Sequence, residues 1–237
     1  MIEMIRRFVR QKFGSAGLVV ALAVLGLVQL LPLAAQGAEA GFAMASWAIF
    51  VIAAGSVSRD ISSGALQMIL SRPIRRTQYL FGRYFGILLS YALFLAATSL
   101  LAFLVFHLVV LRTPRAGAAD FSMAGLAAAA GQAFLTGAFQ SAILLFFSTF
   151  LPGIADLLGL LLLYLVLNLP QFSQSSFLRN AGERARENML PAVEWERILR
   201  GDDVPAAATG RWIFALTVYL VLAAIVFSRR ELPYGQD

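Results

Sequence analysis

The sequence predicts an all-α integral membrane protein with six transmembrane helices, an amphipathic N-terminal interfacial helix and a cytoplasmic helix between spans two and three. Three observations predict it. Hydrophobic residues make up 59% of the 237-residue chain and charged residues only 14%, and mean hydropathy is +0.77. A single soluble core has no room for so many apolar side chains, so their solvent is lipid. The apolar residues also fall into runs long enough to cross a bilayer, which takes about 20 residues of helix. Finally, arginines gather where those runs end, the placement that orients a membrane protein. The formal charge of +6 therefore follows from topology and gives no reason to expect a nucleic-acid partner. The chain has no cysteine, which excludes disulfides, thiolate metal sites and a cysteine nucleophile.

Residues 1–13 place Ile2, Ile5, Phe8, Val9 and Phe13 on one helical face and Arg6, Arg7, Arg10 and Lys12 on the other. Such a helix lies along a membrane surface. Residues 14–33 form the first span. Their basic start and small-residue end imitate a signal peptide, but the apolar run exceeds the 7–15 or so residues of a signal core. Residues 41–57 are the second span and 58–78 a cytoplasmic loop. Residues 79–111, the third span, outrun the hydrocarbon at about 1.5 Å per residue. Arg112, Pro114 and Arg115 end it, and Asp120 can cap the next helix. The apolar stretch after Ser122 is too long for one helix and breaks at Pro152-Gly153, giving a fourth span over 122–150 and a fifth over 154–169. Residues 171–211 are a charged external loop, and 212–228 the sixth span.

With both termini cytoplasmic, Arg6, Arg7, Arg10, Lys12, Arg59, Arg72, Arg75, Arg76, Arg83, Arg229 and Arg230 all fall inside. Arg112 and Arg115 vote against this orientation. The long loop after Pro170 falls outside, which is permitted because long loops translocate largely regardless of charge.

The segment 58–78 is then the main cytoplasmic feature. Ile61, Ala65, Leu66, Ile69 and Leu70 share a helical face, and Pro73 biases Arg72 out of the helix. Read from physics alone, this short interfacial helix either rests on lipid phosphates through its arginines or docks a cytoplasmic partner. Its pattern narrows the choice. Asp60-x-x-x-Gly64-Ala65-Leu66, then Ile69-Leu70-Ser71-Arg72-Pro73, then Arg76 and Tyr79-Leu80-x-Gly82-Arg83 resembles the loop between spans two and three of ABC-2 type transporter permeases. It departs from the family pattern in having Asp60 where Glu is commoner and Ala65 where Thr is common.

The resemblance implies a coupling helix seated on an ATPase subunit, with Asp60, Gly64, Leu66, Leu70 and Pro73 at the contact and Arg72, Arg75 and Arg76 on its rim. It implies a permease homodimer or heterodimer in the plasma (inner) membrane of a bacterium, bound to lipid and to two copies of a P-loop ATPase. This chain has no G-x-x-x-x-G-K-[ST] stretch, so ATP and magnesium are expected on the ATPase and no cofactor or enzymatic activity here. A heme-exporter-type permease has a similar size and layout. Two other classes remain open. An intramembrane enzyme is disfavoured by the lack of H-E-x-x-H and G-x-S-x-G motifs. A membrane scaffold would recruit a partner without transport.

Other residues are weighed against plainer roles. His107, the sole histidine, has no titratable neighbour on its span and is expected to be packed or interfacial rather than part of a proton relay. Asp156 is expected to cap a helix rather than hold an ion. Gly82 and Gly86, and the small residues Gly125, Ala129, Gly131, Ala133 and Gly137, let helices approach closely within a bundle or a dimer. Gln132, Thr136 and Gln140 share one face of span four and line a substrate path or hydrogen-bond between helices. The tryptophans are expected at the membrane interface.

Overall fold

The computed structural model describes residues 2–36, 42, 45–62, 66, 74–105, 107, 123–151, 155–172, 175–191, 193, 195–199 and 206–230, with backbone alone at 31–36, 46, 196 and 199. Among them there are helices and turns and no strand. In chain order the helices are α1 (Ile2–Phe13), α2 (Ala16–Gln36), α3 (Ser46–Ala53), α4 (Ser58–Ser62), α5 (Arg76–Val105), α6 (Met123–Ser148), α7 (Ala155–Asn168), α8 (Ser176–Met189), α9 (Trp195–Leu199) and α10 (Ala206–Arg229).

Four of these segments are long and apolar enough to cross a membrane: α5, α6, α7 with its continuation to Phe172, and α10. A fifth is counted if α1 and the first part of α2, bent by 78° from each other, make one broken span. The protein is thus a multi-pass membrane protein with four or five candidate spans among the described residues, where six were expected. In the predicted second span, 41–57, the described helix is α3, and residues 41, 43 and 44 lie outside the described residues. The chain turns at Gly55, whose φ is +65°, so this helix ends at Ala53, short of the predicted end at Val57.

Other boundaries shift for local reasons. The sixth span begins at Ala206 rather than Trp212, because alanines carry a helix whether or not the segment is apolar. The fifth passes into a 3-10 turn over Leu169–Phe172, where Pro170 lacks the donor that would continue the α ladder. The third span begins at Arg76 rather than Tyr79; its predicted C-terminal end and the break at Pro152-Gly153 lie outside the described residues.

Helix α6 is the centre of the bundle and contacts α3, α5, α7, α9 and α10. Ala142, Ile143, Leu144 and Leu145 in succession are fully buried, a helix enclosed on every side rather than amphipathic. The outer helices instead show apolar stripes: Phe85, Leu89, Leu93, Leu100 and Leu104 on α5, and Leu158, Leu161, Leu162, Leu165 and Val166 on α7 are exposed. Stripes of this size in water would drive association; in lipid they are the expected surface.

Small residues act as sockets inside the protomer. A side chain at Gly137 would run into the Tyr91 ring, so the α5–α6 contact is made by an aromatic ring laid on a glycine, and the Tyr91 hydroxyl donates to the Ala133 carbonyl at 3.2 Å. Gly82 and Gly86 do the same for α1. A Cβ at Gly82 would touch Met4 at 3.1 Å, and one at Gly86 would lie 2.7 Å from the Phe8 ring. The amphipathic α1 therefore seats Met4 and Phe8, one turn apart, in the two-glycine groove of α5. His107 is exposed and stacks on Phe103 with ring centroids 5.8 Å apart.

Candidate functional site

At one end of the bundle, here the loop end, the chain between α3 and α5 is tied to four other helices. The turn after α3 presents backbone N–H groups that no helix ladder satisfies. Gly55 N–H donates to Asp156 Oδ2 at 2.7 Å, while Val57 and Ser58 N–H donate to Ser148 Oγ at 3.2 and 3.0 Å. Ser148 in turn hydrogen-bonds the Asp156 carboxylate. Asp156 also accepts from Leu157 N–H at 2.9 Å at the first turn of α7, where a negative charge complements the helix dipole. It is fully buried. The cap expected of Asp156 is therefore present, but its larger task is to satisfy a distant turn.

The next turn of chain carries a second tie. Asp60 on α4 is buried and forms an ion pair with Arg83 of α5. The Tyr79 hydroxyl also donates to Asp60, and Arg83 Nε donates to Tyr79 Oη at 3.1 Å. Buried charges are tolerated only when paired and hydrogen-bonded in this way. Arg83 also lies over the Phe8 ring, 5.0 Å from its centroid, which brings α1 into the same cluster. Lys12 Nζ lies 5.4 Å from the centroid of the same ring. Burial, then repulsion from Arg59 and Arg83, lowers the Lys12 ammonium to about 8, against an opposing pull from Asp156.

Two arginines complete the ties. Arg76 donates to the Ser228 and Arg230 carbonyls at 3.0 and 2.8 Å, satisfying acceptors at the C-terminal end of α10. Arg230 donates to the Thr149 carbonyl just past α6.

Of the residues singled out in the loop, Asp60 thus faces inward to Arg83, Leu66 is buried among the core residues, Arg76 reaches α10, and Arg75 is exposed. Gly64, Leu70, Arg72 and Pro73 lie outside the described residues. The sequence reading missed Gly55, Ser148 and Lys12 as members of this cluster. Gly55 follows an apolar run, the one signal it offered; the hydroxyl of Ser148 carried none.

At the other end, residues of α6, α7 and α10 with Arg186, Glu187, Leu190, Pro191, Val193 and Trp195 line a cavity of about 680 Å³. Gln132, Thr136 and Gln140, predicted to share a face of span four, all line it. Gln132 Nε2 donates to the Val193 carbonyl at 3.1 Å and so fastens the segment after α8 over the bundle. Trp195 and Trp212 line it as well, edge to face at 4.9 Å. These two tryptophans therefore face a cavity, whereas Trp47 is exposed. At the rim Arg211 pairs with Glu187 at 2.9 Å.

No family model matches the chain, and no curated protein matches it.

Proposed function

We propose that the chain is the permease subunit of an ATP-binding cassette transporter of the ABC-2 type, in which a separate P-loop ATPase drives export of a substrate across the membrane. The observation that carries this reading is the wiring of the loop that resembles a coupling helix. Its entry turn is bonded to the end of α6 and the start of α7, through Ser148 and Asp156. Its first helix is paired to α5 through Asp60 and Arg83, and its exit is bonded to the end of α10 through Arg76.

A push on this loop moves several helix ends at once, because buried, fully paired polar groups hold their geometry while apolar contacts slide. Three of the tied helices, α6, α7 and α10, are the ones that line the cavity at the other end. A nucleotide-driven displacement of the loop would therefore change the cavity's shape without any contact between the ATPase and the substrate. In this arrangement Asp60 and Arg76 position the coupling loop, and the ATPase contact falls to the residues beyond Ser62. The loop end is cytoplasmic, both termini lie on that side, and the permease works as a dimer with two ATPase copies in a bacterial inner membrane. ATP and magnesium belong to the ATPase.

The absence of cysteine makes the test direct. A single cysteine in place of the exposed Ser62, treated with a short bis-maleimide in membranes, should crosslink to a P-loop ATPase, and added ATP should change the yield. If no P-loop protein is captured, the reading fails. Substrate-stimulated ATP hydrolysis by the reconstituted complex separates a transporter from a scaffold that merely recruits the ATPase.

A further inference from the structure

The cavity at the far end has a chemistry that its role in packing does not require. Three kinds of group line it. Gln140 hydrogen-bonds the Tyr164 hydroxyl, yet its Oε1 is buried and has no partner. A buried acceptor left unpaired is costly, and native proteins keep few of them; this one belongs to a side chain that lines an opening large enough for a ligand, and a turn of the amide presents it there. The walls are aromatic: Phe139, Trp195 and Trp212, with the Phe139 and Trp212 centroids 5.9 Å apart. At the rim, Arg186 and Arg211 outnumber Glu187. Since Arg211 is already paired to Glu187, the Arg186 charge is the excess. A volume of about 680 Å³ lies within the range of roughly 300–1,000 Å³ typical of small-molecule sites.

We infer that this cavity binds a small amphipathic organic anion: a flat ring system between the aromatic walls, a hydroxyl or amine donating inward to Gln140 Oε1, and the acidic group at Arg186. Each part of that ligand satisfies one feature that the protein leaves open. The site lies within one protomer and needs no second copy to complete it. That the bound anion is the transported substrate rests on the permease reading; the binding itself does not.

Anilinonaphthalene sulfonate carries all three elements, and phenylnaphthylamine is the same amine without the acid. The chain alone, with Trp47→Phe, is placed in phosphatidylcholine nanodiscs, so that energy transfer to either dye reports Trp195 and Trp212. We expect saturable transfer to both dyes, above that of empty nanodiscs. Gln140→Leu should weaken both dyes about tenfold, the size of one buried hydrogen bond. Arg186→Gln should weaken the sulfonate about three- to tenfold and leave the amine unchanged. Arg186 lies on the exposed helix α8, so this variant remains informative if Gln140→Leu does not fold. Transfer that fails to saturate, or that ignores both substitutions, overturns the inference. Displacement of the dye by a short-chain phosphatidylglycerol, but not by its phosphatidylcholine counterpart, also overturns it by assigning the cavity to a lipid. Because no ATPase is present, either failure leaves the crosslinking result at Ser62 untouched.

Discussion

Gly55 and Asp156 are 101 positions apart in the chain, and the N–H of one donates to the buried carboxylate of the other at 2.7 Å. The glycine is at φ +65°, a conformation that costs a residue with a Cβ about 1–2 kcal/mol. The turn needs the glycine, and the amide it exposes needs the acid. This single bond fixes where the chain leaves α3 relative to the start of α7.

Asp156→Ala should destabilise the protein by about 1–3 kcal/mol for each donor it orphans, and Gly55 and Leu157 N–H both lose their acceptor. Asp156→Asn keeps an acceptor and should cost less. Thermal unfolding in detergent checks the order. Equal stability of wild type and Asp156→Ala would mean that the turn stands without the carboxylate.

The glycine groove on α5 predicts a size limit at one position. Gly86→Ala puts a Cβ 2.7 Å from the Phe8 ring and should lift α1 off α5, costing about 1–3 kcal/mol by overpacking. Phe8→Leu frees space at that contact, so the double variant should recover part of the loss. Hydrogen exchange of the α1 amides reads the docking directly; unchanged protection in Gly86→Ala would contradict the socket.

The Asp60–Arg83 pair predicts an asymmetry. Asp60→Ala alone leaves a buried guanidinium without its carboxylate and should cost about 3–5 kcal/mol. Adding Arg83→Leu removes the stranded charge and should restore much of the stability. If Asp60 positions the coupling loop, the double variant should remain folded yet hydrolyse ATP with its partner without stimulation by substrate. Wild-type stimulation in that double variant would separate the pair from coupling.

Lys12 sets a pH dependence for the N-terminal helix. Its pKa falls from the ordinary 10.5 to about 8 in the folded protein. Below about 8 both states carry the proton, and the folded state bears the full penalty of a half-buried charge near Arg59 and Arg83. Between about 8 and 10.5 the unfolded state holds more protons, so stability rises with pH. Protection of the α1 amides should therefore increase across that window in the wild type. In Lys12→Met it should be flat and, near neutral pH, higher. A fall in protection with rising pH would reverse the sign and refute the assignment.

Much of this was legible in one dimension because it depends on composition and period. The hydropathy of the runs, the amphipathic face of residues 1–13 and the shared face of Gln132, Thr136 and Gln140 are properties of local sequence; the structure has four or five candidate spans among the described residues, docks α1 through Met4 and Phe8, and puts the three polar residues on one cavity wall. The alternatives left open at Gly82 and Gly86 were not decided there, since a glycine's lack of a Cβ does not say which side chain takes the space. The chain by itself determined a helical membrane protein with a distinctive basic loop after its second apolar run. Only the tertiary structure decided that Asp60 turns inward to Arg83, that Asp156 serves a turn 101 positions away, that Arg76 ends α10, and that Arg230 reaches the Thr149 carbonyl past α6. The physical reason is common to all four. In an apolar bundle a polar group must find its partner across the fold, and that partner is chosen by where helices end in space.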